Sequence, residues 1–231
     1  MSTPGLNTKK IAILVETEFI KEEIAAYQTQ FSKLGATVHL MSRLWGKPST
    51  KFVSDVDAVG KEAHYLDVTI DFRTVDVNEY AAVIMAANYT SVRLRYFHPP
   101  DGYAIAPEHV RTAPAVQFFA QAMMNPKIVK GLLCHGLWLL TPMPELLKNR
   151  RVICHEVVLA DIINAGAIYV PSATHIVVDG DLVTGRSGSD VDAFIQAIAH
   201  QIEQVDQGKP LLSYEQTLRQ GEATQLQFSL S

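Results

Sequence analysis

A mainly parallel α/β sheet, doubly wound with helices on both faces, is the fold class this sequence predicts. Three observations carry it. Short, continuous runs of apolar, often β-branched residues recur along the chain, as strands buried on both faces require. Stretches with helical spacing separate them, which is the signature of βαβ units. The 231 residues are 48% apolar and 19% charged, enough for one large packed domain and too apolar for a disordered chain.

Residues 11–15 (IAILV) read as the first strand. Ile20, Ile24, Tyr27, Phe31 and Leu34 follow at spacings of 4, 3, 4 and 3, and Gly35 stops that helix. Residues 37–41 and 81–86 read as further strands. The polar, broken stretch 42–80 is expected to form short strands and turns at a sheet edge. Residues 95–108 hold three prolines and two tyrosines and read as an ordered loop. A helix is predicted over 112–124, with Thr112 as N-cap, Pro114 in the first turn and Asn125-Pro126 as its end. Residues 128–133 form the next strand, and Gly136–Leu140 opens a helix directly after it. Residues 151–155 and 167–170 read as strands around a short helix stopped by Gly166. Residues 175–179 and 182–186 flank Gly180 as a hairpin. Ser189 and Asp192 form a capping box that opens the last helix, with Val191, Phe194, Ile195, Ile198 and Ile202 facing inward. One domain over 1–206 and a polar tail over 207–231 are expected.

The formal net charge of −4 gives no global pull toward nucleic acid or an anionic membrane surface. No apolar run approaches the ~18 residues of a membrane span, and no apolar signal region opens the chain. Two cysteines, Cys134 and Cys154, make no disulfide framework and fit a reducing, cytoplasmic setting. The histidines show no H-x-x-x-H spacing, and no C-x-x-C, Walker loop or G-x-G-x-x-G occurs, so neither a metal nor a nucleotide cofactor is expected.

Chemistry concentrates at Gly131–Leu140. A buried strand runs straight into a helix with Cys134 at the junction, the layout of a nucleophile elbow. A helix N-terminus beside the sulfur is expected to lower the thiol pKa and favour thiolate. A lone cysteine more often packs as a small hydrophobe, and Cys154, inside an apolar run, is read that way. The first βα junction supplies four glutamates, Glu16, Glu18, Glu22 and Glu23. Most should be solvated or serve the helix N-terminus. Glu23 directly precedes inward-facing Ile24, so its carboxylate can point along the sheet edge toward the sulfur.

The order strand–Cys134-His135-Gly136–helix, with Phe19-Ile-Lys-Glu-Glu23 after the first strand, resembles the ThiJ/PfpI superfamily. Ile163-Asn-Ala-Gly166 followed by residues 177–184 is similar to its PfpI branch, and the likeness spans 9–204. The resemblance implies a class I glutamine-amidotransferase-like, flavodoxin-like fold. It implies that Cys134 is reactive, that Glu23 hydrogen-bonds its sulfur, and that His135 is the histidine that protease-like members are proposed to use as base. The backbone N–H groups of His135 and Ala87 would form an oxyanion site. A carboxyl beside a thiolate is pushed toward its protonated form, so Glu23 would donate to the sulfur and titrate with it as a pair.

Two departures from the pattern stand out. Met85-Ala86-Ala87-Asn88 replaces the usual Pro-Gly-Gly, which adds methyl groups and restricts the backbone beside the sulfur. Asn88, Tyr89, Thr90 and Ser91 offer no carboxylate where PfpI-like proteases take a glutamate from a neighbouring subunit. Three functions remain open. One is a cofactor-free cysteine enzyme acting on small reactive carbonyls, of glyoxalase or deglycase type, with Glu23 as acid–base. A second is a non-enzymatic oxidative-stress sensor or chaperone using the same thiol. The third is a PfpI-like peptidase or amidase. A homo-oligomer, most simply a dimer, is expected, with Tyr96, Phe97 and Tyr103 as interface residues. The 95–108 loop would alternatively cover the pocket.

Overall fold

The structure, a computed structural model, describes residues 5–56, 62–99 and 104–220. The chain runs through β1 (Lys10–Leu14), α1 (Lys21–Lys33), β2 (Thr37–Ser42), β3 (Thr50–Val53), β4 (Tyr65–Val68), β5 (Ile70–Asp71), β6 (Ala82–Met85) and α2 (Thr90–Arg93). It continues through α3 (Pro114–Met124), β7 (Val129–Leu133), β8 (Arg151–Val152), α4 (Leu159–Asn164), β9 (Ile168–Tyr169), β10 (Ile176–Asp179), β11 (Leu182–Gly185) and α5 (Val191–Asp206). Seven strands form one sheet in the order β10-β11-β7-β6-β1-β2-β5. Every pair in it is parallel except the β10–β11 hairpin. The predicted adjacency of β2, β1, β6 and β7 holds, and β1 lies between the two directions in which the chain winds. A crevice therefore opens at the carboxyl ends of the strands, where open α/β sheets place their sites.

Helices cover both faces, so β6 and β7 are buried throughout; β6 reads as an unbroken apolar run, and β7 carries one charge, Lys130, buried and paired with Asp181. Helix α5 approaches β7 and β11 closely because both strands carry a glycine under it. A Cβ on Gly131 would sit 2.7 Å from Ile198 and 2.9 Å from Phe194, and one on Gly185 would sit 3.4 Å from Phe194 and 2.4 Å from Leu133 of β7. Among the described residues, no helix is long and apolar enough to cross a membrane.

Local chemistry moves several boundaries. Gly136–Leu140 is a 3-10 helix, not the start of an α-helix. The strand expected over 151–155 ends at Val152 and pairs with β9 outside the main sheet. The helix expected after it begins with a 3-10 turn over Glu156–Val158. Ala113, not Thr112, precedes α3, because Thr112 closes a 3-10 turn over Pro107–Thr112 and donates to the His109 carbonyl. The capping box lies two residues earlier than expected. Ser187 donates through its N–H and its hydroxyl to Asp190, at 2.9 and 2.8 Å, while Asp192 accepts from Gln30. Phe97, expected on an interface, packs against the chain's own core and edge-on to His109. Tyr96 is exposed, and Tyr103 lies outside the described residues. The tail does meet the fold. Leu212 accepts from Gly180 N–H, Tyr214 N–H donates to Asp179, and Glu215 pairs with Arg151.

Candidate functional site

Cys134 follows β7 directly and precedes the 3-10 helix, with φ at 59°. A non-glycine residue held in the left-handed region at a strand-to-helix turn is strained, and such strain gathers at functional sites. Two backbone bonds fix the turn. Cys134 N–H donates to Gly185 O at 2.9 Å, and His155 N–H donates to Cys134 O at 3.4 Å. The residue is 7% exposed. The N–H groups of His135, Asn88 and Gly188 face its sulfur and favour thiolate.

Those three donors do not win. Burial, and then the charge of Glu23, push the thiol up to about 11. This corrects the expectation of a lowered thiol pKa. The sulfur sits behind a five-residue 3-10 helix instead of a long α-helix, so little dipole is aligned on it, while desolvation and a neighbouring anion both oppose ionisation. Cys154 is pushed further, to about 12, by burial and then by the charge of Cys134. The two thiols differ less in acidity than their sequence contexts suggest.

Glu23 is 1% exposed on the inner face of α1. Burial lifts its carboxyl to about 7, against hydrogen bonds that pull it down. Tyr27 Oη donates to Oε1 at 2.7 Å, and Ala87 N–H donates to both carboxyl oxygens at 3.0 Å. Glu23 and Cys134 are close enough to feel each other's charge, yet no hydrogen bond joins them among the described residues. The other three glutamates diverge. Glu18 pairs with Arg93, Glu16 accepts from Thr17 N–H, and Glu22 is exposed.

The expected oxyanion pair needs correction at Ala87. Its N–H is committed to the Glu23 carboxyl, and Asn88 supplies the amide at the sulfur instead. Asn88 has φ 68°, and Asn tolerates the left-handed region better than other non-glycine residues. Its side-chain amide donates to Glu18 O at 2.9 Å and Asp55 Oδ2 at 2.7 Å. Asn88 therefore does the conformational work of a missing glycine. Asn88→Gly and Asn88→Ala both lose those two bonds, but only alanine is strained there. The alanine variant should be less stable than the glycine variant by about 1 kcal/mol in urea unfolding.

His135 is 9% exposed, stacked on Trp138 at 5.2 Å and edge-on to His155 at 5.0 Å. Burial, then the His155 charge, lower it to about 4, so it is neutral at pH 7. The Asn88 backbone faces the ring, yet neither ring nitrogen meets a partner in full hydrogen-bond geometry among the described residues. Tyr89 and Trp138, which flank it, line an open cleft of about 550 Å³ with Arg95 and Asp161. Among the described residues, no group of three His, Cys, Asp or Glu side chains converges as metal donors.

Three participants escaped the sequence reading. Asn88 looked like a departure, Gly188 lay next to a misplaced capping box, and His155 sat in an apolar run read as strand. The turn signal Ser187-Gly188-Ser189 was the available clue to Gly188.

The DJ-1/PfpI family model matches residues 102–201. Among curated proteins, YraA of Bacillus subtilis, named as a candidate cysteine protease, is 26% identical over 81% of this chain and 94% of its own. Protein/nucleic acid deglycase 2 of Escherichia coli is 27% identical over the same shares, 81% and 94%. Among solved structures, a ThiJ/PfpI domain protein from Brachyspira murdochii has a TM-score of 0.66 at 14% identity, covering 87% of this chain and 99% of that one. A two-domain protein from Anabaena variabilis, with DJ-1/ThiJ/PfpI-like and ferritin-like domains, has a TM-score of 0.68 at 22% identity. That match covers 84% of this chain and 48% of the longer one, so this chain spans about half of it. Drosophila melanogaster DJ-1beta gives a TM-score of 0.63 at 13% identity, covering 87% and 97%. Sheet order and these likenesses agree: the chain has the DJ-1/ThiJ/PfpI fold, and its residues 102–201 match the DJ-1/PfpI family model.

Proposed function

We propose that this protein is a cysteine-dependent enzyme acting on small 2-oxoaldehydes, with Cys134 as nucleophile at an elbow and Glu23 as acid–base. One observation carries the reading. A strained thiol ringed by three backbone N–H donors lies beside a buried carboxyl that titrates near neutrality. The deglycase name of one relative supports it.

The resting thiol is protonated at pH 7, so Glu23 must take its proton as the sulfur attacks. The sulfur bonds to the aldehyde carbon, and the carbonyl oxygen collects a proton to give a hemithioacetal. The amides of His135, Asn88 and Gly188 stabilise negative charge during that step. Glu23 then removes the proton on the former aldehyde carbon and returns one to the adjacent carbon. The product is a thioester of a 2-hydroxy acid, an internal redox change that needs no outside oxidant. Water cleaves the thioester, releasing the acid and restoring the thiol. Neutral His135 is available to accept a proton from that water.

The test is methylglyoxal in large excess over enzyme, with the product followed by NMR. Many equivalents of 2-hydroxy acid per chain are expected. One equivalent consumed, with the mass of Cys134 changed and no acid released, would overturn the enzyme reading and favour the sensor.

A further inference from the structure

Tyr27 is a buried phenol that the chemistry above does not use. It lies one turn after Glu23 on α1 and is 0% exposed. Its ring is fixed by Phe31, stacked at 6.2 Å, and by Phe194 of α5 at 6.3 Å. Its hydroxyl donates to Glu23 Oε1 at 2.7 Å. Ala87 N–H, at 3.0 Å from each oxygen, spans the carboxyl. Oε1 thus has two donors and Oε2 one. Donors satisfy a carboxylate, whereas a protonated carboxyl brings a donor of its own. The oxygen with capacity left for a proton is Oε2.

We propose that Tyr27 is a positioning residue that holds Glu23 as carboxylate, reserves Oε2 for the travelling proton, and so limits how much thiolate Cys134 presents. The pair, once it has lost one proton, has two forms: carboxylate with thiol, or carboxylic acid with thiolate. Tyr27 stabilises the first by a charge-assisted hydrogen bond. Its own ionisation does not intervene, because burial and then the Glu23 charge push the phenol well above its usual range. The other titratable groups around the pair come from separate elements. Cys154 and His155 lie beyond β8, His135 follows Cys134, and the His175–Asp190 pair stands on the Gly188 side. None of these is altered by removing one hydroxyl from α1.

The readout is the rate of Cys134 alkylation by iodoacetamide against pH, in the intact folded protein, so it holds whether or not the carbonyl chemistry does. With Tyr27→Phe, the rate on the acid side should match the parent, because the fully protonated pair holds no carboxylate to stabilise. The rise should continue about one pH unit further and level about tenfold higher, the effect of losing one hydrogen bond to a charged acceptor. In a Glu23→Gln background the same change should do nothing. Should Tyr27→Phe fold poorly, 3-fluorotyrosine at position 27 keeps the bond, donates more strongly and should lower the plateau. Superimposable Tyr27→Phe and parent profiles would overturn the proposal. A plateau shift that persists in the Glu23→Gln background would also overturn it, since it would mark a packing effect.

Discussion

Cys134→Ser is expected to abolish methylglyoxal consumption, a loss of at least about 10³-fold, while the protein stays folded. Serine fits the same turn, and the backbone bonds to Gly185 and His155 do not involve the side chain. The amides that face the sulfur remain. What disappears is a group that Glu23 can deprotonate. A thiol at about 11 lies within reach of a carboxylate at about 7, because the three amides stabilise the anion as it forms. A serine hydroxyl is far harder to ionise, and the gap becomes too wide for the same base. Cys154→Ser, in the same assay, should retain turnover. Consumption of methylglyoxal that survives in Cys134→Ser, with circular dichroism unchanged, would remove the covalent route altogether.

Glu23→Gln is expected to change how stability depends on pH, by about 3 kcal/mol. Glu23 titrates near 7 in the fold, against 4.5 for an unburied carboxyl. Below pH 4.5 the folded and unfolded chains both hold the proton. As pH rises from 4.5 to 7 the unfolded chain gives it up and the folded chain does not, so stability falls. Above 7 the whole penalty of the buried charge is present, and it amounts to about 3 kcal/mol. The glutamine variant has no such titration. Its absolute stability also reflects how its amide meets Ala87 N–H, so the informative quantity is the difference between the two proteins. Urea unfolding at pH 4.5 and pH 8 should show that difference move by about 3 kcal/mol in favour of the variant at the higher pH. A constant difference would mean that the carboxyl is solvated or is paired with a cation.

The parallel sheet was legible because burial on both faces leaves a pattern that polar residues cannot imitate. Ile11–Leu14 and Ala82–Met85 read as apolar runs, Val129–Leu133 as one interrupted by Lys130, and all became central strands. Cys134 was legible as the polar residue at the end of such a run, whereas Glu23 was reached from its helical phase beside inward-facing Ile24 and from the superfamily resemblance. The short 3-10 turns were not. Gly136–Leu140 and Glu156–Val158 are too short for a period to show, and tertiary packing sets their pitch. The amides at the sulfur were hidden more deeply, because a backbone N–H belongs to every residue type except proline. Only the fold says that Asn88 and Gly188, one hundred positions apart, aim theirs at the same atom. The thiol's acidity went astray because the sequence announces a helix start but not the burial and the neighbouring carboxylate that outweigh it.

The position of β11 sets an order of assembly. It lies beside β7 in the sheet, yet it leaves the ribosome about fifty residues later, bringing Gly185 and Gly188 with it. Until then the Cys134 N–H has no acceptor, the sulfur lacks one of its three amides, and α5 is missing from the face it will close. The nascent chain therefore presents an ordinary, accessible thiol through much of its synthesis, open to whatever electrophile it meets. The C-terminal quarter of the chain is the part that converts this thiol into a site. Chains cut before Leu182 should react with maleimide at Cys134 as readily as an unfolded peptide does.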